Sequence, residues 1–239
     1  MPAANPRRNA NAWQSAMVVD ITMETKRAKT FRLALAHPSP HLAGQHYVVR
    51  LTAPDGYTAS RSYSVASAPD GSNAIDLTVE RLIDGEVSTF LHDEVVIGDE
   101  LEVRGPIGGF FVWNADTPAL LVGGGSGIVP LMAMLRLARK RGATDLVKLV
   151  VSVRAPDELL YAGEVHGPET SIVYTRTTPD GYARGPGRLR PEDLAPLLAR
   201  DQTAYVCGSA GFADAASHLV VDLGIPVHQV RVERFGPTS

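Results

Sequence analysis

The sequence predicts two domains, an N-terminal antiparallel β-barrel and a C-terminal α/β domain built on a parallel sheet. With 239 residues, the chain is long enough for two compact domains. Up to about Trp113 it consists of short β-branched or alternating runs broken by Gly, Pro and Asp, which are typical of strands. Beyond Thr117, apolar strands alternate with helical stretches, and this repetition implies a parallel sheet that is covered on both faces.

The strands of the first domain are expected at residues 45–53, 74–82 and 99–104, in a barrel or a sandwich. Polar composition predicts that about residues 1–14 are disordered. A polar, proline-containing stretch at 114–118 separates the two patterns. We therefore assign residues 1–115 to the barrel domain and residues 116–239 to the α/β domain.

The second domain is expected to alternate strands with helices. In chain order, its apolar and helical stretches cover residues 119–122, 131–141, 147–153, 171–175, 203–207, 213–223 and 227–233. Repeated units of this kind predict a parallel sheet with covered faces.

Composition excludes several classes of function. The chain has 23 basic and 26 acidic side chains, and its net charge of −3 is too balanced to draw it onto nucleic acid or anionic lipid. Cys207 is the single cysteine, so an internal disulfide and a four-cysteine zinc or iron–sulfur site are impossible within these 239 residues. His37 and His41 are four residues apart, but Pro38 and Pro40 prevent the helix that would align them on a metal. We predict no metal site and no nucleic-acid partner.

Two segments bear on the compartment. Arg7 and Arg8 resemble the twin arginine of an export signal, yet polar residues follow where an apolar stretch is needed. Residues 117–135 carry no charge and are long enough for a membrane helix. Their glycines and Pro130 favour a turn between a strand and a helix instead. The sequence therefore predicts a cytoplasmic protein without a membrane span.

A glycine-rich turn stands between the first strand and the first helix of the second domain. It consists of Gly123, Gly124, Gly125, Ser126 and Gly127. Backbone N–H groups at such a helix N-terminus converge on one spot and carry partial positive charge, which suits a pyrophosphate. Ile128 stands where the dinucleotide fingerprint has its third glycine, so a turn without a ligand stays open as an alternative. Ile128 also breaks the pattern that a nucleophile elbow on Ser126 would need.

Two further motifs stand in the first domain. Arg61 and Tyr63 are two residues apart on a strand-like stretch, so they project to one face and place a phosphate-binding cation beside a flat stacking surface. This combination suits a flavin nucleotide, although an Arg–Tyr pair is also common as a cross-strand side-chain pair on the surface, without a ligand. Ser88 and Thr89 follow Gly85 at the start of a short predicted helix, whose amides could hold a second anion.

The order of the motifs is more specific than any one of them. Along the chain, the motifs Arg-x-Tyr-Ser, Gly-x-x-Ser and Gly-Pro-x-Gly come first. The glycine turn before a prolyl helix follows, and the stretches at residues 205–209 and 233–235 come last. From about Ala16 to the C-terminus, this order resembles the ferredoxin–NADP reductase superfamily. Within that superfamily it resembles the flavin- and nicotinamide-binding core of bacterial oxygenase reductases, without the attached iron–sulfur domain.

The resemblance implies that the first domain binds FAD. Arg61 would bind the FAD pyrophosphate, Tyr63 would pack against the flavin or its ribityl chain, and Ser64 would form a hydrogen bond near flavin N5. Amide and hydroxyl donors to the same pyrophosphate would come from Val87, Ser88 and Thr89.

The resemblance implies a nicotinamide site in the second domain. The cofactor's phosphates would face Gly124, Gly125, Ser126 and Gly127. Cys207 and Gly208 would lie where the nicotinamide ring meets the flavin. Phe235 matches the aromatic residue that shields the flavin face, and Glu233 is a candidate for hydrogen bonding near the hydride path. The candidate catalytic residues are therefore Ser64, Cys207, Glu233 and Phe235.

Charge predicts which nicotinamide cofactor is used. Arg154 and Arg176 follow the second and third strands of this domain, and Arg188 comes shortly after. The 2′-phosphate of NADPH needs cations, whereas the plain ribose of NADH usually meets an acidic group at the end of the second strand. The arginines favour NADPH. Asp157 and Glu158 keep NADH possible, since either carboxylate could hold a ribose hydroxyl.

The resemblance implies an FAD-dependent NAD(P)H oxidoreductase. A nicotinamide gives two electrons as one hydride, whereas ferredoxins, flavodoxins and oxygenase centres accept one at a time, so a flavin must stand between them. The expected partner is such a one-electron protein. Two alternatives stay open: a flavin or small-molecule reductase without a protein acceptor, and a non-catalytic flavoprotein subunit of a larger redox complex.

Overall fold

A computed structural model of the chain describes residues 12–236, and its strands form two separate sheets. The first sheet consists of β1 (Trp13–Thr25), β2 (Ala28–Leu35), β3 (His46–Thr52), β4 (Thr58–Ser64), β5 (Ala74–Glu80) and β6 (Glu100–Ile107). These strands are antiparallel and lie in the order β4-β3-β6-β1-β2-β5. A single bridge from Val65 to Leu77 joins the two edge strands and closes the barrel.

Alternate residues of the strands fill the barrel interior. Phe31 and Leu33 of β2 are both buried, as the period of two in a strand requires. The short helix α1 (Glu86–Asp93) adds Val87 and Leu91, which lie one turn apart on its buried face. This half of the molecule therefore has its own hydrophobic core.

The second sheet is parallel, as the alternation of strands and helices predicts. It consists of β7 (Ala119–Gly124), β8 (Val147–Val153), β9 (Thr170–Tyr174), β10 (Thr203–Ser209) and β11 (Val230–Phe235). The strand order is β11-β10-β7-β8-β9. The helices are α2 (Ile128–Arg141), α3 (Pro191–Leu194) and α4 (Ala210–Asp222). Because α2 packs on one face of the sheet and α4 on the other, the central strands are buried on both sides.

The prediction that about residues 1–14 are disordered is wrong for the last two of them. Trp13 and Gln14 begin β1, whereas residues 1–11, including Arg7 and Arg8, lie outside the described residues. The Trp13 ring stacks against two guanidinium groups, with Arg50 at 4.1 Å and Arg104 at 5.0 Å from its centroid. These cation–π contacts and the pairing of Trp13 with β6 order the strand.

The connection between the sheets is packed against both of them. Phe111 and Trp113 are buried in the cluster that covers α2. The Trp113 indole donates to Thr117 O (2.9 Å), and the Trp113 amide donates to Ala43 O (3.2 Å). Gly44 has a φ of +102°, and a Cβ at this position would collide with Phe111 O, so the close approach requires glycine. The two halves are therefore held in a defined arrangement.

The uncharged stretch at 117–135 is not one continuous helix. It forms β7, the glycine turn and the first part of α2. Within residues 12–236, no helix combines the length and apolar character needed to cross a bilayer.

Candidate functional site

The glycine turn leaves the N-terminus of α2 open. Residues 125–127 form one turn of 3₁₀ helix between β7 and α2, and no side chain caps α2. Gly125 has a φ of +55°, and a Cβ there would meet nothing within 4 Å, so this side of the turn faces open space. The Ile128 amide donates to Gly125 O within the turn, so the helix dipole and the amides at the start of the turn are what an anion would meet. This geometry fits a cofactor phosphate, and Ser126 adds a partly exposed hydroxyl.

The other side of the turn packs against the end of β10. A Cβ on Gly127 would collide with Cys207 O, so glycine is required for this contact. A Cβ on Gly124 would lie 2.6 Å from the Phe212 ring and one on Gly208 would lie 2.5 Å from it, so this ring requires glycine at both positions. The structure thus brings the predicted residues Gly124, Gly127, Cys207 and Gly208 together at one edge of the sheet. Phe212, at the start of α4, packs between the two strand ends and was missed because no motif marks it.

Cys207 and Glu233 are neighbours on adjacent strands. In the parallel register, Cys207 lies between Gly123 of β7 and Glu233 of β11. Burial raises the pKa of the Cys207 thiol, and the nearby Glu233 carboxyl adds to the shift. Burial also raises the pKa of Glu233 to about 7. The thiol is therefore neutral, and in acidic to neutral solution the carboxyl holds a proton and can donate a hydrogen bond.

The raised pKa of Glu233 predicts a pH-dependent stability. Between pH 4.5 and 7 the carboxyl ionises in the unfolded chain before it ionises in the folded one, so the free energy of unfolding falls as the pH rises. Relative to Glu233→Gln, the parent chain should lose about 2 kcal/mol between pH 4.5 and 8. Urea unfolding of both proteins across this range measures the difference. A constant difference would show that Glu233 ionises normally.

Phe235 lies beyond this pair, at the end of β11. It is opposite Ser209 in the register and 39% exposed. An aromatic ring with this much open surface at a sheet edge can cover a flat ligand.

The Arg-x-Tyr-Ser motif lies on β4, as part of the barrel. Arg61 pairs with Val49 and Tyr63 with Tyr47, so Arg61 and Tyr63 share one face of the strand as predicted. Burial raises the pKa of Tyr63. The Arg61 guanidinium is exposed and donates to Ser60 O (2.7 Å), and it has no acidic partner within residues 12–236. This free cation fits a phosphate.

Helix α1 starts near the same strand. Tyr57, just before β4, donates from its hydroxyl to Glu86 of the first helical turn (3.1 Å). No side chain caps α1 at Gly85. The Ser88 hydroxyl is buried and donates to Gly85 O (3.0 Å), and the Thr89 hydroxyl donates to Leu82 O (3.3 Å). Both hydroxyl protons are therefore used within the turn, and the role of Ser88 and Thr89 as donors to a ligand stays a prediction. The amides around Val87 remain as donors.

The three predicted arginines converge at the ends of β8 and β9. The amide of Arg176 donates to Arg154 O (2.9 Å), and the amide of Gly187 donates to Tyr174 O (3.0 Å), which brings Arg188 to the same place. The three side chains are exposed and form no salt bridge within the described part of the chain. Asp157 and Glu158 lie in an exposed 3₁₀ turn shortly after β8. The cationic group thus lies at the carboxyl edge of the sheet, where α/β proteins bind nucleotides.

Comparison with known proteins identifies both halves. Residues 15–112 match the oxidoreductase FAD-binding domain, and residues 121–218 match the oxidoreductase NAD-binding domain. A flavohemoprotein of Pseudomonas putida is 33% identical over 203 residues, which are 82% of this chain and 51% of that protein. The glycine betaine monooxygenase reductase subunit of Pseudomonas aeruginosa is 30% identical over 246 residues, covering 96% of this chain and 66% of the relative.

Solved structures show the same fold. The FAD/NAD-binding domain of a nitric oxide dioxygenase from Vibrio cholerae superposes with a TM-score of 0.82 at 24% identity, over 94% of this chain and 99% of that one. The chain spans about half to two thirds of the length of the curated relatives it matches. Together, the two matched domains cover most of the sequence, in the order and with the motifs described above. The chain belongs to the ferredoxin–NADP reductase superfamily, as an oxidoreductase that joins an FAD-binding domain to an NAD-binding domain.

Proposed function

We propose that the chain takes electrons from NADPH and passes them through FAD to a one-electron acceptor protein, such as a ferredoxin, a flavodoxin or an oxygenase component. The observation that carries this proposal is the pairing of two anion sites on two packed sheets. One is the open N-terminus of α2 beside Cys207, and the other is Arg61 beside α1. A reductase needs both cofactors held in fixed relation.

The barrel would hold FAD through its own donors. The Arg61 guanidinium and the first-turn amides of α1 would bind the pyrophosphate, because within residues 12–236 Arg61 has no acidic partner and no side chain caps α1. Tyr63 would lie against the flavin or its ribityl chain, and Ser64 would form a hydrogen bond near N5. When bound, FAD supplies the chemistry that accepts a hydride and releases single electrons.

The α/β domain would hold the nicotinamide cofactor. The α2 amides and Ser126 would bind its phosphates, and Cys207 and Gly208 would line the position of the nicotinamide ring. Glu233 would hold a proton beside the Cys207 thiol and would orient the thiol by hydrogen bonding. Phe235 would cover the flavin face and exclude water.

NADPH is proposed over NADH because of the arginine group. Three exposed guanidinium groups, which have no acidic partner within residues 12–236, provide the charge that a 2′-phosphate requires. The competing arrangement has Asp157 or Glu158 bind the ribose hydroxyls of NADH. Both carboxylates lie in a turn beyond the strand end, whereas Arg154 directly follows β8.

Turnover with different acceptors tests the proposal. Steady-state NADPH oxidation is measured with a panel of ferredoxins, flavodoxins and oxygenase components, and compared with free FMN and oxygen. We expect at least one protein acceptor to give a higher kcat/KM than the small molecules. The name of the glycine betaine monooxygenase reductase relative supports an oxygenase component as the first protein to try. If free FMN were reduced faster than every protein, the small-molecule reductase would be the better description. No turnover at all would favour a non-catalytic subunit.

A further inference from the structure

A tyrosine of the α/β domain is inserted into the barrel sheet. Tyr161, in the segment between β8 and β9, is 4% exposed and has a φ of +57°. Its hydroxyl lies 2.5 Å from the hydroxyl of Thr78 on β5, 83 residues away in sequence. A non-glycine residue in the left-handed region persists only where its surroundings hold it there. The interdomain contact holds the Tyr161 side chain, and the amides of Glu164 and Val165 hold its carbonyl (2.8 Å each).

The contact is part of a closed ring of hydrogen bonds. The Thr78 hydroxyl lies 2.8 Å from that of Thr30 on β2, and Thr30 donates to Glu24 on β1 (2.7 Å). The other carboxylate oxygen of Glu24 accepts from the Tyr161 amide (3.2 Å). Tyr161 is thus bound at both its side chain and its backbone by three adjacent strands of the barrel. We call these four residues the Tyr161 network.

A second interdomain contact, made by Arg136, lies beside the network. Arg136 of α2 donates to Ala66 O (2.9 Å), and its guanidinium lies 4.9 Å from the centre of the Tyr161 ring. A bidentate pair with Glu164 holds Arg136 in place, with a closest distance of 2.6 Å. Ala66 comes two residues after Ser64, and α2 begins at the glycine turn. These interdomain contacts therefore join the segment that carries the flavin motif to the helix that carries the phosphate motif.

Hydride transfer is very sensitive to the arrangement of the two halves. The reacting atoms must approach within about 3–3.5 Å, and a displacement of about 1 Å can cost about 100-fold in rate. Resting on the function proposed above, we infer that Tyr161 is a positioning residue, which sets the approach of the nicotinamide to the flavin by fixing the α/β domain on the barrel through Thr78, Thr30 and Glu24. The residue lies outside the cofactor motifs in sequence and acts through the placement of the domains.

The decisive variant is Tyr161→Phe, which keeps the ring and removes the hydroxyl. In this variant Thr78 keeps its hydrogen bond to Thr30, so its buried hydroxyl still has a partner and the variant is expected to fold. At saturating NADPH, the rate constant for flavin reduction in a single turnover should fall about tenfold. The dissociation constants of FAD and NADPH should stay within twofold. Tyr182→Phe is the matched control, because the Tyr182 hydroxyl donates to Ile172 O inside the α/β domain, and its reduction rate should stay within twofold.

A readout independent of activity separates positioning from a purely local effect. In Tyr161→Phe, with and without FAD, amide hydrogen exchange should become at least fivefold faster at both 159–165 and 64–66. Thr78→Val should reproduce the loss of reduction rate, and the double variant should be no slower than either single one, because both changes break the same contact.

The outcomes distinguish this inference from the proposed function. If NADPH reduces the flavin of the parent chain and of Tyr161→Phe equally fast, Tyr161 does not position the domains and the inference is overturned. Faster exchange with an unchanged reduction rate overturns it as well, because the network would then serve stability alone. If NADPH fails to reduce the parent chain, the proposed function is wrong and the inference falls with it.

Discussion

Replacing Arg61 with alanine is expected to raise the dissociation constant of FAD about 100-fold, equivalent to about 2.7 kcal/mol. The side chain is exposed and has no acidic partner within residues 12–236, so its charge is available to a ligand phosphate and its removal leaves no buried carboxylate behind. Titration of the FAD-free protein with FAD, followed by flavin fluorescence, measures the constant.

Arg27→Ala is the control for this experiment. Arg27 also belongs to the barrel, but it lies in the turn between β1 and β2 and donates to Arg81 O. We expect this variant to bind FAD within twofold of the parent chain. Full FAD retention by Arg61→Ala would contradict the phosphate role of Arg61.

The double substitution of Arg154 and Arg176 by alanine is expected to raise the KM for NADPH about 100-fold and to leave the KM for NADH within twofold. Arg154 and Arg176 follow the adjacent strands β8 and β9, and under the proposed function they would bind the 2′-phosphate, which NADH lacks. Steady-state kinetics with each cofactor separate the two effects. Equal changes in the two KM values would show that the arginines do not bind the 2′-phosphate.

Arg200→Ala provides the matched control for the arginine pair. Arg200 is exposed in the same domain, but it precedes β10 and so lies at the opposite end of the sheet strands. Its replacement should leave both KM values within twofold. A large effect would point to long-range charge instead of a local phosphate contact.

The parallel sheet is the part of the fold that the sequence predicts best. Residues 147–153 were expected as a strand and form β8 with the same bounds. The strand is buried on both faces, so its sequence is a nearly continuous apolar run that stands out from its surroundings. Residues 227–233 were less well delimited, because a 3₁₀ turn at Val227–Gln229 precedes the strand and β11 continues to Phe235.

The barrel strands are harder to delimit because their order depends on distant partners. β4 has a polar sequence and is recognised through its motif, not through an apolar pattern. Trp13 belongs to a strand because Arg50 and Arg104 stack on it from β3 and β6, and no local pattern signals those contacts. The same reason hides Tyr161, whose partner Thr78 is far away in sequence.

Motif spacing predicts which residues lie together when a strand register carries the contact. The glycine turn, Cys207 and Glu233 lie together because a parallel register aligns the ends of β7, β10 and β11. Hydroxyl roles are less predictable, as Ser88 shows, because a side chain beside its own turn can bind the backbone first. Phe212 has no spacing signal at all, since it fills the space that Gly124 and Gly208 leave.

Anaerobic titration of the FAD-loaded chain with NADPH, followed by visible absorption, tests the central claim most directly. We expect a yellow protein whose visible flavin absorption is bleached by about one equivalent of NADPH, and less readily by NADH. A chain that stays colourless after incubation with FAD, or a flavin band that NADPH leaves unchanged, would contradict the account.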